Sequence, residues 1–153
     1  MIGNGGFHVT LHERLLLPLA STSDAERTVD ALIAARGEEA DETIVVPLHV
    51  IEKGGGSIDK LPVDIQQDQA SDLLEYAIGA LESAGFTVEP NVVYGTDVVD
   101  AVSTFALEED VTAIAFLPRP GGLLSKLLTG DRPGRFLEQS PVPVIVLPQP
   151  SDG

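Results

Sequence analysis

From Arg14 to Pro148 the chain alternates short apolar runs with stretches whose apolar residues recur at helical spacing. That alternation allows few folds. The apolar runs are Arg14–Ala20, Thr43–Ile51, Phe86–Val93, Thr112–Leu117 and Val142–Leu147. Between them, Val29, Leu32 and Ile33 share one helical face, as do Leu73, Leu74, Ala77, Ile78 and Leu81, and then Val99, Val102, Phe105 and Ala106. Leu123, Leu124, Leu127 and Leu128 make a short amphipathic turn, and Arg132 to Gln139 reads as helical. Strands separated by helices form a parallel sheet with right-handed crossovers and helices on both faces, an open α/β fold of the Rossmann-like kind. A chain of 153 residues holds one such domain. Residues 1–13, with Gly3, Gly5 and Gly6, read as a flexible arm, 14–148 as the domain and 149–153 as a tail. There is no second domain and no internal repeat.

Local signals fix the joints. Ser21-Thr-Ser-Asp24 is a turn and helix N-cap, and Arg36-Gly37 is a basic last turn followed by a C-terminal glycine. Gly54-Gly-Gly-Ser57 through Pro62 is a loop, and Gly85 ends the next helix. Thr43–Ile51 is dense in β-branched residues, as a strand buried on both faces requires. Pro47 lies inside it and has no N–H for a ladder, so a bulge or a partly unpaired position is expected there. Phe86–Val93 alternates apolar and polar residues like an exposed edge, and Tyr94-Gly-Thr-Asp97 reads as a turn and N-cap.

The charge balance narrows the partners. The chain carries nine basic and 24 acidic residues for a net charge of −15, and its lysines are Lys53, Lys60 and Lys126. Such a surface suits a salt-rich, halophilic cytoplasm, where screening suppresses self-repulsion. It argues against nucleic acid and anionic membranes as partners. With no cysteine there is neither a disulfide framework nor a thiol nucleophile. No apolar run reaches the roughly 20 residues that span a bilayer. The N-terminus lacks the basic and apolar regions of a signal peptide, so a cytoplasmic location is expected.

The segment from Thr112 to Pro148 carries the strongest functional signal. It reads as strand, glycine-containing loop, short helix and strand. A loop at the carboxyl end of a parallel strand is where open α/β folds hold ligands, and backbone N–H groups there can cradle phosphate. Arg119, Lys126, Arg132 and Arg135 place four of the nine basic residues in this one stretch. Solvated side chains paired with nearby acids explain that cluster slightly better than an anion or docking site does.

The order and spacing of four segments resemble the universal stress protein family. They are Leu15-Leu-Leu-Pro18, Leu48-His-Val-Ile-Glu52, Val93-Tyr-Gly-Thr-Asp97 and Pro141-Val-Pro-Val-Ile-Val146. The resemblance covers nearly all of Arg14 to Pro148. It implies a five-stranded parallel sheet of order 3-2-1-4-5. It also implies a homodimer formed by the last strands, with Val142, Val144 and Val146 at the interface.

One branch of that family binds ATP through a loop of the form G-x2-G-x9-G-[ST] and an Asp two residues after the proline of the first strand. In this chain the three motif glycines fall on Leu117, Pro120 and Gly130, the hydroxyl on Asp131 and the Asp on Ala20. Gly130 alone survives, with Arg119 at a position where the family often has Arg or His. Gly121 and Gly122 offer a shifted loop, although using Gly121 leaves one residue too few before Gly130. Val50 falls where relatives contact adenine and keeps an apolar wall.

Pro120 has no N–H to donate, and Leu117 puts a side chain where backbone must approach phosphate closely. Asp131 sets a negative charge beside a triphosphate, a repulsion on the order of several kcal/mol in a partly desolvated pocket. The expectation is a non-catalytic stress or regulatory module with no cofactor and impaired ATP binding, acting through a partner or a small ligand. The alternatives are a nucleotide switch binding ATP or AMP weakly, and a regulatory module of an amino-acid-type membrane transporter, whose relatives the Pro18-Leu-Ala opening resembles.

Other candidates are weaker. His8 and His12 have metal-ligand spacing only if helical, and their glycine-containing arm is not. His49 reads as a buried, hydrogen-bonded residue, and Asp97 and Asp100 as a cap and a first-turn acid. Ser21, Thr22 and Ser23 are N-cap residues. Ser125 is open to phosphorylation, with nothing demanding it. Gly54-Gly-Gly lacks the basic and hydroxyl residues of a phosphate loop. No catalytic constellation of Ser, His and Asp is defensible, and no metal site is expected.

Overall fold

The computed structural model describes residues 13–52, 63–118 and 140–149. Its elements in order are β1 (Glu13–Pro18), α1 (Thr22–Arg36), a 3-10 segment (Gly37–Glu42), β2 (Thr43–Glu52), α2 (Val63–Ser83), β3 (Thr87–Val88), β4 (Asn91–Gly95), α3 (Val98–Glu108), β5 (Ala113–Phe116) and β6 (Val144–Val146). All strand pairs are parallel, in the order β3-β2-β1-β5-β6, with β4 also on β2. β3 and β4 are two pieces of one edge strand, since Val45 faces Val88 and Leu48 faces Asn91 in an unbroken register. The expected order of five strands is therefore the one observed.

The pleat sorts the apolar residues onto two faces. Leu15, Leu17, Ala113, Ala115 and Leu117 pack with Val29, Leu32, Leu73, Ala77 and Leu81 of α1 and α2. Leu16, Ile114 and Phe116 pack with Val99, Val102 and Phe105 of α3. Both central strands are buried on both faces, which explains their continuous apolar sequence. The helical stripes predicted for α1, α2 and α3 all face these cores, with Ile33 and Ile78 only half-buried.

The ends of α1 and α2 follow their sequence signals. Ser21 caps α1, and Gly37 follows its last residue Arg36. Gly85 adopts φ 104°, so that its N–H reaches the Glu82 carbonyl and the Phe86 N–H reaches Leu81. That is the Schellman arrangement, with Phe86 and Leu81 joined in the core. α3 closes in a similar way around Asp110 at φ 55°, with the Val111 N–H on the Ala106 carbonyl. Aspartate takes this left-handed position more readily than most residues.

Two expectations change, and a third, at Pro47, is met as a partly unpaired position rather than a bulge. Tyr94 and Gly95 belong to strand β4 rather than to a turn, because they continue the pairing with Ile51 and Glu52. The third strand is divided rather than continuous. β2 shows no bulge at Pro47, which faces Leu17 in register. The Glu89 N–H bonds the Val45 carbonyl and the Leu19 N–H bonds the Leu48 carbonyl. Alternate residues of a parallel strand turn to alternate neighbours, so Pro47 faces the edge strand, where it has no N–H for the Glu89 carbonyl. The division between β3 and β4 falls there. The edge strand, not β2, accommodates the proline.

The predicted arm, apart from Glu13, the loop after Lys53, the leucine turn from Leu123 and the helix at Arg132–Gln139 lie outside the described residues.

Candidate functional site

At the carboxyl edge of the sheet the first crossover is held by side chains as well as backbone. The Leu19 N–H bonds the Leu48 carbonyl at 2.8 Å, carrying the β1–β2 ladder past Pro18. His49, half-buried on β2, sets Nδ1 2.9 Å from the Leu19 carbonyl. A carbonyl only accepts, so Nδ1 carries the proton. The hydrogen bond expected of His49 is present, with less burial than expected.

The turn into α1 is sealed by Asp24. Its carboxylate accepts the Ala20 N–H at 2.8 Å and the Thr28 hydroxyl at 3.3 Å, while its own N–H donates to Ser21 Oγ at 3.1 Å. Asp24 is only 1% exposed. A carboxylate that deep persists when hydrogen bonds replace its lost hydration. This is a capping box in which the acid reaches one residue further back than usual. Sequence reasoning took Asp24 only as part of the turn. The Ser-x-x-Asp spacing, with Thr28 one helical turn on, is the signal that identifies its role.

Ala20 and Val50 are both half-buried and pack against the α3-side core, as do Val93 and Val98. The carboxylate nearest in sequence to Ala20 is that of Asp24, and it is turned onto backbone. Arg119, Gly121, Gly122, Gly130 and Asp131 lie outside the described residues.

The turn from β4 into α3 is more open. Asp97 caps α3 by accepting the Asp100 N–H at 3.1 Å. A Cβ on Gly95 would stand 3.2 Å from the Ala101 methyl, so the close approach of strand and helix favours glycine. A surface cavity of about 380 Å³ opens beside this turn, with Asp97, Asp100, Glu108 and Thr104 among its lining residues. Among the described residues that lining holds three carboxylates and no cation. Arg36 pairs with Glu13 at 2.8 Å, and Arg14 bonds Glu89 and the Glu109 carbonyl, where β1 begins. On the other side of the edge, Gln149 donates to the Pro118 carbonyl, tying the segment after β6 to the end of β5.

An open parallel sheet with helices on both faces defines a Rossmann-like α/β protein. The sequence profile of the universal stress protein family matches residues 12–148, and the chain belongs to that family. Solved structures show the same fold. A universal stress family protein from Burkholderia pseudomallei aligns with TM-score 0.67 at 20% identity, over 90% of this chain and 96% of that one. The Archaeoglobus fulgidus universal stress protein, solved in complex with dAMP, gives 0.64 at 20% identity over 92% and 100%. An Arabidopsis thaliana family protein, solved with AMP bound, gives 0.64 at 17% over 92% and 94%. No curated protein matches the chain in sequence. Among the described residues no helix is long and apolar enough to cross a membrane, and no cluster of ligating side chains could hold a metal ion.

Proposed function

We propose that this chain is a non-catalytic regulatory member of the universal stress protein family that does not hold ATP in the family's usual mode. The observation that carries the reading is Ala20. It stands where the ATP-binding branch has an aspartate, and its N–H is engaged by buried Asp24. The Leu117, Pro120 and Asp131 substitutions and the carboxylates beside the β4–α3 turn act in the same direction.

The module then works through a partner or another small ligand. A homodimer through β6 fits this reading, because that strand has one described neighbour and leaves Val146 55% exposed. The acidic composition fits a halophilic cytoplasm. An amino-acid-type transporter is the membrane partner that the Pro18-Leu-Ala opening suggests.

A second reading is a nucleotide switch taking AMP. The dAMP and AMP complexes of the two relatives favour it, and a monophosphate brings less charge to an acidic edge than ATP does.

Calorimetric titration with Mg-ATP and with AMP in molar KCl tests both readings. No heat with ATP is expected. Saturable ATP binding at micromolar concentration overturns the first reading, and heat with AMP alone selects the second. Replacing Pro120→Gly and Asp131→Ser together should raise ATP affinity by at least about ten-fold, through restored N–H donation and relief of like-charge repulsion.

A further inference from the structure

On the side of the sheet away from β6, an apolar groove of about 440 Å³ runs between α2 and the edge strand β4. Its floor includes Ile51, Ala70, Leu74 and Ile78, and its outer wall is Val92 and Tyr94. These two side chains are 36% and 45% exposed, and Gln67 of α2 donates to the Tyr94 hydroxyl at 2.8 Å. Val93 turns to the other face of the sheet.

Two further features say what fits there. The Glu89 N–H faces β2. By alternation Asn91, Val93 and Gly95 also face β2, and Val92 and Tyr94 present their N–H and C=O groups outward. Among the described strands β4 has β2 as its single neighbour. The groove therefore lies beside a sheet edge with outward-facing backbone donors and acceptors. The second feature is charge. On the opposite face of the same strand, the cavity lined by Val93 of the α3-side core carries Asp97, Asp100 and Glu108.

We infer that this groove and edge form a docking site for an extended, cationic polypeptide segment that adds as a strand beside β4. Apolar residues at every second position would enter the groove, and the Arg or Lys residues between them would turn to the other face of the sheet, toward Asp97, Asp100 and Glu108. Backbone pairing supplies affinity and the alternate side chains supply selectivity. From Gln67 to Ile78 the helix runs about 16 Å at about 1.5 Å per residue, which about five residues of extended chain would span. Neither Ala20 nor Val50 lines this surface, so the inference stands whether or not nucleotide binds beside them.

The test is fluorescence anisotropy of the full chain with a labelled, end-blocked peptide of alternating arginine and valine, roughly nine residues long. Saturable binding at low KCl is expected, weakening as salt rises because rim charges are screened. The double variant Thr104→Lys, Glu108→Lys changes exposed positions of that cavity and should weaken binding by about ten-fold or more. Backbone N-methylation along one edge of the peptide should weaken binding by about ten-fold, and methylation along the other edge should leave it unchanged. Several results overturn the inference: no saturable binding to the wild type, equal binding to the charge-reversed variant, indifference to which edge is methylated, or tighter binding of a helix-stapled peptide of the same composition. A thermal melt of the variant, matching the wild type, keeps loss of binding distinct from loss of fold.

Discussion

Two turns leave the carboxyl edge of this sheet and enter helices with the same cap spacing, Ser21-x-x-Asp24 and Asp97-x-x-Asp100, yet they have different chemistry. In the first, the acid at the third helical position turns inward. Asp24 is buried and holds the Ala20 N–H and the Thr28 hydroxyl. In the second, Asp100 is exposed, and a cavity with two further carboxylates in its lining opens beside the turn. The first turn is closed by its own side chain and the second is left accessible. One sequence device thus produces a structural joint or a solvent-facing surface, depending on whether the acid is buried or exposed.

Mutation can break this contrast. The largest effect is expected from Asp24→Ala, which leaves the Ala20 N–H and the Thr28 hydroxyl without their acceptor. Stability should fall by about 3 kcal/mol, and Tm by roughly 10 °C, in thermal unfolding followed by circular dichroism. A change near zero would mean that Asp24 is not the seal described. A smaller loss, about 1 kcal/mol, is expected for Asp97→Ala, which removes the helix cap. Denaturant titration measures it, and a loss as large as that at Asp24 would erase the distinction between the turns. The smallest effect belongs to Asp100→Asn. It removes a first-turn charge and should cost less than about 0.5 kcal/mol, vanishing at high salt. A salt-independent loss there would show that Asp100 serves the fold as Asp24 does.

The parallel sheet was readable because each apolar run had to bury one or both faces and a helix stood between strands; the strand order came from the family resemblance. Pro47 was correctly flagged as awkward. Its resolution depended on which neighbour each residue faces, and a strand's own sequence does not carry that information. Asp24 was missed for a related reason. Burial of an acid depends on partners contributed by the preceding backbone and the next helical turn, whereas composition alone makes an aspartate in a Ser/Thr turn look solvated. Of the positions proposed for the cleft, Ala20 and Val50 are among the described residues, each packed against the α3-side core. Residues thirty apart on two strands have no local pattern linking them, so only the resemblance proposes them together.

Pro47 also bears on mispairing. In the native alignment the ladder between β2 and the edge strand lacks one donor, because Pro90 directs its own missing N–H away from β2. A slip of one residue would turn Pro90 toward β2 and remove a second donor. The same slip would send Val93 to the opposite face of the sheet. Two prolines that look like defects in separate strands act together as a register mark that penalises the nearest wrong alignment when the edge strand docks.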